Sequence, residues 1–511
     1  ARMNEPAHTP RSRTAGRVLR FGVLALSAGI AAAAALASDP APERWWSPGD
    51  GRVFPATLDY PNDNGVLRIE LAGGALETRG HPFFEPIGPS GRACVTCHQP
   101  ADSMSLSAQT AQERWDATGG TDPLFAAHDG SNCPILPQDA KASHSLLLER
   151  GLIRIQRKWP VTEWNGRTVK PDFTIEVVRD PNGCNSAPGY GPEAGNISVY
   201  RRPRPVSNMK YLLAVGFPFD PKQGVALPLD PDTGEPMSGN IMADNRAGSL
   251  RLQMEDAAQT HLAFLKRLSP DERARIRAFE LSVFTAQQSG KGGAGNADGA
   301  MGGPAVLRDS EPGALGSIGT PVWSEFEAWE DMSDETLARL TPEQIAFRRS
   351  VARGARVFRE KMFLITDSAG INSPMGFGNP VRNSCVFCHN MTRMGNDVAP
   401  GQVDLGTTTL PFADPWDDLP LFRITCQKQP HPYYGRTIYT YDPGFALTTG
   451  RCADVGKITL QSMRGLSARA PYFSNGLASN LRGVVDYYER RYNIGYTEQE
   501  KQDLVNLMSM L

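Results

Sequence analysis

Histidine and cysteine are both scarce in this 511-residue chain, eight of each, so any grouping of them is informative. Charge of one sign is also missing. Lys and Arg number 53 against 55 Asp and Glu, with no long run of either, which argues against nucleic acid as a partner. Beyond residue 37 no apolar stretch approaches the roughly 20 residues that a membrane-spanning helix needs. Glycine and proline, by contrast, are plentiful at 50 and 41, a level that predicts loop-rich globular structure short of wholesale disorder. The length exceeds that of a typical single domain and predicts two or more hydrophobic cores.

Arg11 to Arg20 contain four arginines, followed by an uncharged apolar stretch from Phe21 to Leu36 and the small-residue triplet Ala35-Leu36-Ala37. This pattern predicts a signal peptide over 1–37 and a soluble, exported, periplasmic mature protein. The alternative is an uncleaved segment that holds the chain at the membrane, for which the stretch is short. Removing 1–37 takes away five Arg and one Glu and leaves a net charge of −6. In an oxidising compartment Cys133, Cys184, Cys426 and Cys452 are most simply two disulfides, and closeness along the chain suggests Cys133 with Cys184 and Cys426 with Cys452.

The other four cysteines form two motifs, Cys94-Val95-Thr96-Cys97-His98 and Cys385-Val386-Phe387-Cys388-His389. Both match the c-type haem attachment signature. Two intervening residues set the thiols about one turn apart, where each can add to one vinyl group of a porphyrin, and the adjacent histidine then lies under the ring as an iron ligand. A thioredoxin-like redox pair would not explain the same histidine twice. A zinc ribbon usually brings its pairs within about 20 residues. Two covalently bound haem c groups are therefore expected.

A glycine-rich tract, Ser289 to Pro304, separates the motifs and reads as a flexible linker. The expected organisation is a haem domain at 38–290, a linker at 291–320 and a second haem domain at 321–511. Leu250, Met254, Ala257, His261, Leu265 and Leu268 recur at helical spacing, and capping boxes begin at Ser269, Thr341 and Thr497. Alternation over Phe173, Ile175 and Val177, and at Ile197 and Val199, predicts strands. The expected fold class is mainly α, with two cytochrome c-like haem domains and a small β insertion in the N-terminal one.

From Asp454-Val455-Gly456-Lys457 through Leu466 to Phe473, and on through Asn475-Gly476 and Val484-Val485-Asp486, the chain resembles the bacterial dihaem cytochrome c peroxidase and MauG superfamily. The likeness is strong from Phe347 onward. In the N-terminal half it is patchier, resting on the haem motif and on Asp244, Arg246, Ser249, Leu250 and Gln253. The resemblance implies that the N-terminal haem performs chemistry while the C-terminal haem, with two axial ligands, stores or passes electrons. Tyr488 falls where peroxidases place an axial methionine and MauG a tyrosine; its other reading is a core aromatic. Gln253 matches a distal-pocket glutamine. Ala263 stands where an acidic residue assists peroxide cleavage, with His261 two residues earlier. His261 is read as a buried hydrogen-bonded side chain, a distal acid–base group or an iron ligand. Arg464 matches an arginine expected to contact haem carboxylates, against a surface arginine as the plain alternative.

Departures from the family pattern are also visible. Ala243 stands in place of a bridging tryptophan, which leaves Trp115, Trp159 and Trp164 as unplaced candidates. Pro203 and Gln461 fall near positions that supply calcium ligands in relatives, which leaves interdomain calcium in doubt. Ser474 replaces a frequent histidine. His81, His128, His144 and His431 are further candidate ligands for the first iron, whereas Met104 lies too close to His98 to reach the opposite haem face.

The implied activity is a peroxidase-type oxidoreductase, with hydrogen peroxide activated at the first haem and a small redox protein as electron partner. The alternatives are a non-catalytic dihaem electron carrier and a dioxygen-dependent oxidase or oxygenase of an organic substrate.

Overall fold

Three of the longer helices start where the sequence places a capping box. In Pro270–Ser282 the Ser269 hydroxyl accepts from Glu272 N while the Glu272 carboxylate accepts from Ser269 N. Thr341 with Gln344 and Thr497 with Glu500 do the same for Pro342–Glu360 and Glu498–Ser509. Each box satisfies two backbone donors that a helix N-terminus leaves orphaned. These features belong to a computed structural model that describes residues 43–511 except 162–167, 216–228, 231, 235–236, 301, 313–319, 373–376 and 400. The expected signal peptide and Trp164 lie outside the described residues.

Pro342–Glu360 and Glu498–Ser509 pack closely at Gly354, where a Cβ would come within 2.2 Å of the Asp503 carbonyl oxygen. Phe347, Val351 and Phe358 meet Leu504 and Leu507 in a core shared with Trp323 and Phe326. Each such side chain contributes about 1.5–3 kcal/mol on burial. A second core gathers Phe54, Phe83, Phe84 and Phe279 around the first Cys-x-x-Cys-His segment.

The expected mainly α architecture of two cytochrome c-like domains is not what the chain adopts. Helix makes up about a third of it and strand about a sixth. The described residues hold fourteen short strands in six small sheets. Thr57–Asn62, Gly65–Leu71 and Val283–Ser289 form one antiparallel sheet, joining the start of the described chain to the edge of the glycine-rich tract. Nor is there a self-contained β insertion. Phe173–Arg179 pairs with Leu421–Cys426, which pairs with Thr437–Thr440, whereas Asn196–Arg201 pairs with Ile153–Lys158. The alternation at Phe173, Ile175 and Val177 and at Ile197 and Val199 does mark two of these strands, but partners lie more than 200 residues away in two of the sheets, so local pattern does not reveal the pairing.

Two local expectations also change. The helix beginning at Leu250 ends at His261; Leu265 is 91% exposed and Ala263 has φ +54°, so the apolar spacing does not continue to Leu268 as helix. Within the glycine-rich tract, Ser289 bridges Gly295, Lys291–Gly293 forms a single turn, and Pro304–Asp309 is helical. The disulfides are Cys133–Cys184 and Cys426–Cys452, with Cα atoms 5.4 and 5.6 Å apart.

Candidate functional site

Each Cys-x-x-Cys-His segment folds as one tight turn, Cys94–Thr96 in one and Cys385–Phe387 in the other. Cys97 N and His98 N both donate to the Cys94 carbonyl, and Cys388 N and His389 N both donate to Cys385. In each segment the turn brings two thiols and an imidazole to the wall of one cavity. The first cavity holds about 1240 Å³ of atom-free space and the second about 1310 Å³, open solvent at their mouths included. Cys94, Cys97, Cys385 and Cys388 are free thiols. Burial pushes Cys97 and Cys385 up to about 11 and raises Cys94 and Cys388 further, so all four stay protonated near neutrality.

The two histidines are held alike. His98 Nδ1 donates to the Met104 carbonyl at 3.1 Å and His389 Nδ1 to the Gly395 carbonyl at 2.6 Å, in both cases six residues downstream. That bond leaves each Nε2 as the lone-pair nitrogen. Burial lowers His98 to about 4 and also lowers His389, so both imidazoles are neutral donors suited to a metal.

Gln253 and His261, from one helix, line the first cavity. Gln253 Oε1 is buried without a hydrogen-bond partner. His261 Nδ1 donates at 2.6 Å to Oδ2 of Asp129, whose other oxygen receives Arg92. Desolvation opposes ionisation of Asp129, but the Arg92 cation and the His261 bond hold its carboxyl far below the usual range. Glu280 is the counter-case in the same cavity. It is 3% exposed, its Oε2 has no partner, and burial raises it to about 8. Asp129 and Glu280 escape sequence reasoning because burial and partner are set by distant segments.

Tyr488 lines the second cavity, stacked on Tyr492 with ring centroids 6.3 Å apart. Burial raises its phenol well above the ordinary value. Arg464 lines neither cavity, contrary to expectation. Its guanidinium donates to the carbonyls of Arg393 and Gly302 and to Glu325 at 2.8 Å, with Trp323 beneath it at 5.1 Å. Arg469, five residues on, lines the second cavity, and Arg202 and Arg204 line the first. None of these three forms an ion pair among the described residues, and Arg202 Nε has no partner at all. Burial lowers Arg202 to about 9 and both Arg204 and Arg469 to about 10. Buried guanidinium groups without carboxylates are costly unless an anion meets them. The run Arg201-Arg202-Pro203-Arg204-Pro205 was the sequence signal for this seam.

The remaining candidates fall elsewhere. His81, His128, His144 and His431 line neither cavity, and neither do Trp115 and Trp159. Near Pro203 and Gln461, the position considered for calcium, the Arg204 guanidinium is itself surrounded by oxygen acceptors. Among the described residues no cluster of His, Cys, Asp and Glu is arranged to hold a metal ion on its own.

No family model matches the chain. Cytochrome-c peroxidase IdrP1 of Pseudomonas sp. (strain SCT) is similar to it, with 32% identity over 145 residues that cover 25% of this chain and 36% of the relative. The chain thus matches about a third of the length of that curated relative. The likeness is distant and partial.

Proposed function

We propose that the chain is an exported, periplasmic peroxidase-type oxidoreductase with one haem attached covalently in each cavity. It reduces hydrogen peroxide at the first and receives electrons from a small redox protein at the second. The observation that carries this reading is the duplicated wall: two free thiols one turn apart, then an imidazole whose Nδ1 is tied to a carbonyl six residues on, facing a large apolar cavity.

The residues fit the group. The four thiols would form the thioether links, His98 would hold the first iron, and His389 and Tyr488 the second. Arg202 and Arg469 offer donors to the acidic substituents of a porphyrin. Bound haem iron supplies a centre where a peroxide O–O bond is broken and electrons are held.

The chain's own contribution at the first cavity is proton handling. His261, with Nδ1 fixed on Asp129, presents Nε2 to accept a proton from the incoming peroxide and return it to the departing oxygen. Gln253 holds an unpaired amide oxygen in the same cavity to orient the substrate. Two electrons and two protons convert one peroxide into two waters. A pure electron carrier would have no use for a carboxylate-backed histidine and an unpaired amide at its buried site.

Two measurements test this. Intact mass should show two tetrapyrrole increments that resist acid–acetone extraction. Electron paramagnetic resonance of the resting protein should show a high-spin signal that is lost on adding peroxide. Two low-spin signals that ignore peroxide would replace the reading with the electron carrier.

A further inference from the structure

The two cavities share a wall. Asn240 and Ala243 line the first, and Thr459 and Leu460 line the second. Thr459 N donates to the Ala243 carbonyl at 2.9 Å, and its hydroxyl donates to the Met242 carbonyl at 2.7 Å. Arg204 stitches this wall together from the first cavity. Its Nη1 donates to the Met242 carbonyl at 2.9 Å and to Thr459 Oγ1 at 2.5 Å, and its Nη2 donates to the Leu460 carbonyl at 2.9 Å. Weaker contacts reach the Asn240 carbonyl at 3.2 Å and its side-chain oxygen at 3.4 Å.

Among the described residues no phenylalanine, tyrosine or tryptophan lines the first cavity, and Ala243 stands in the dividing wall. A ring-to-ring relay therefore has no member on that side. What does cross the wall is a fixed, planar, delocalised cation hydrogen-bonded to backbone and side chain of the second cavity's lining. Hydrogen-bonded contacts carry electronic coupling better than gaps of van der Waals contact. A permanent positive charge between two redox centres also lowers the cost of placing an electron on either side.

We propose that Arg204 is the bridge through which an electron passes from the group in the second cavity to the group in the first. This rests on the function proposed above and deepens it. The step moves one electron, supplied by the external redox protein and finally accepted by peroxide, and no bond is made or broken at Arg204. Arg204 is accordingly a positioning residue.

The test uses the full-length holoprotein as wild type, Arg204→Met, Arg204→Lys and Thr459→Val. The second site is reduced by a rapid photochemical pulse, and the arrival of the electron at the first is followed optically. The two midpoint potentials are measured so that the rate can be corrected for driving force. Arg204→Met should slow the corrected transfer severalfold. Thr459→Val, which removes one acceptor and keeps the arginine, should slow it less, and Arg204→Lys should fall between. If Arg204→Met does not fold, the ordering of Arg204→Lys and Thr459→Val against wild type decides. Two attached groups with unchanged corrected rates in the variants would overturn the bridge alone. Wild-type protein lacking the attached groups would overturn the underlying function instead.

Discussion

Neutralising Asp129 separates the architecture of the first cavity from its chemistry. Asp129 is 2% exposed and Arg92 is fully buried, and they are directly paired. Arg92's other donors go to the carbonyls of Pro123 at 2.7 Å, Leu124 at 2.6 Å and His261 at 3.2 Å. In Asp129→Asn the shape survives while the buried guanidinium loses the carboxylate it pairs with. Breaking one side of a buried pair costs about 3–5 kcal/mol. That is a large part of the roughly 5–15 kcal/mol that holds a typical domain. The pair should register in urea unfolding followed by circular dichroism. The pH dependence follows from the depressed carboxyl. Its contribution is present above the unfolded value of 3.8 and is lost as pH falls toward the lower folded value, so the variant should lose less stability in acid than wild type does. Function should fall as well, because the carboxylate that receives His261 Nδ1 is gone. General acid–base assistance is worth about 10²–10⁴-fold, and stopped-flow rates with peroxide should drop within that range. A stability change below about 1 kcal/mol, the scale of an exposed ion pair, together with an unchanged peroxide rate, would refute both roles.

Glu280→Gln should reverse a pH trend. Because burial raises the folded carboxyl from 4.5 to about 8, its stabilising contribution is complete below 4.5 and disappears as pH rises through 8. Wild type should lose about 1.4 kcal/mol per pH unit relative to the variant across that interval, read from unfolding midpoints. Gly354→Ala should destabilise by about 1–3 kcal/mol in the same unfolding assay, since the added methyl meets the Asp503 carbonyl at 2.2 Å; a neutral result would show that the helices part easily. Replacing Cys133 and Cys184 by serine should cost about 2–5 kcal/mol, and a free-thiol assay of the untreated wild type should find none at these positions.

What was legible in the sequence was what is encoded within a few residues. The two Cys-x-x-Cys-His turns and the three capping boxes are such patterns, and the disulfide pairings, across 51 and 26 residues, followed from taking neighbours along the chain as partners. Gln253 and His261 entered through the family resemblance, and the helix Leu250–His261 sets both on the lining of the first cavity. The sheets were not, because Phe173–Arg179 finds its partner at Leu421–Cys426 and no local periodicity marks that pairing. Arg464 and Arg469 show a similar limit. Both are buried arginines near the C-terminal motif, and only packing decides that Glu325 captures one while the other faces a cavity. Asp129 was hidden because its meaning lies wholly in Arg92 and His261, one before it and one far after it.

The sheet that joins Phe173–Arg179 to Leu421–Cys426 also limits how this gene can be dissected. Cutting the coding region between the motifs would leave Leu421–Cys426 with a bare ladder edge on one product and Phe173–Arg179 unpaired on the other, each an invitation to aggregate. Neither piece would be a miniature of the parent. Recombinant work on either motif should therefore keep the polypeptide whole and silence one centre by point substitution.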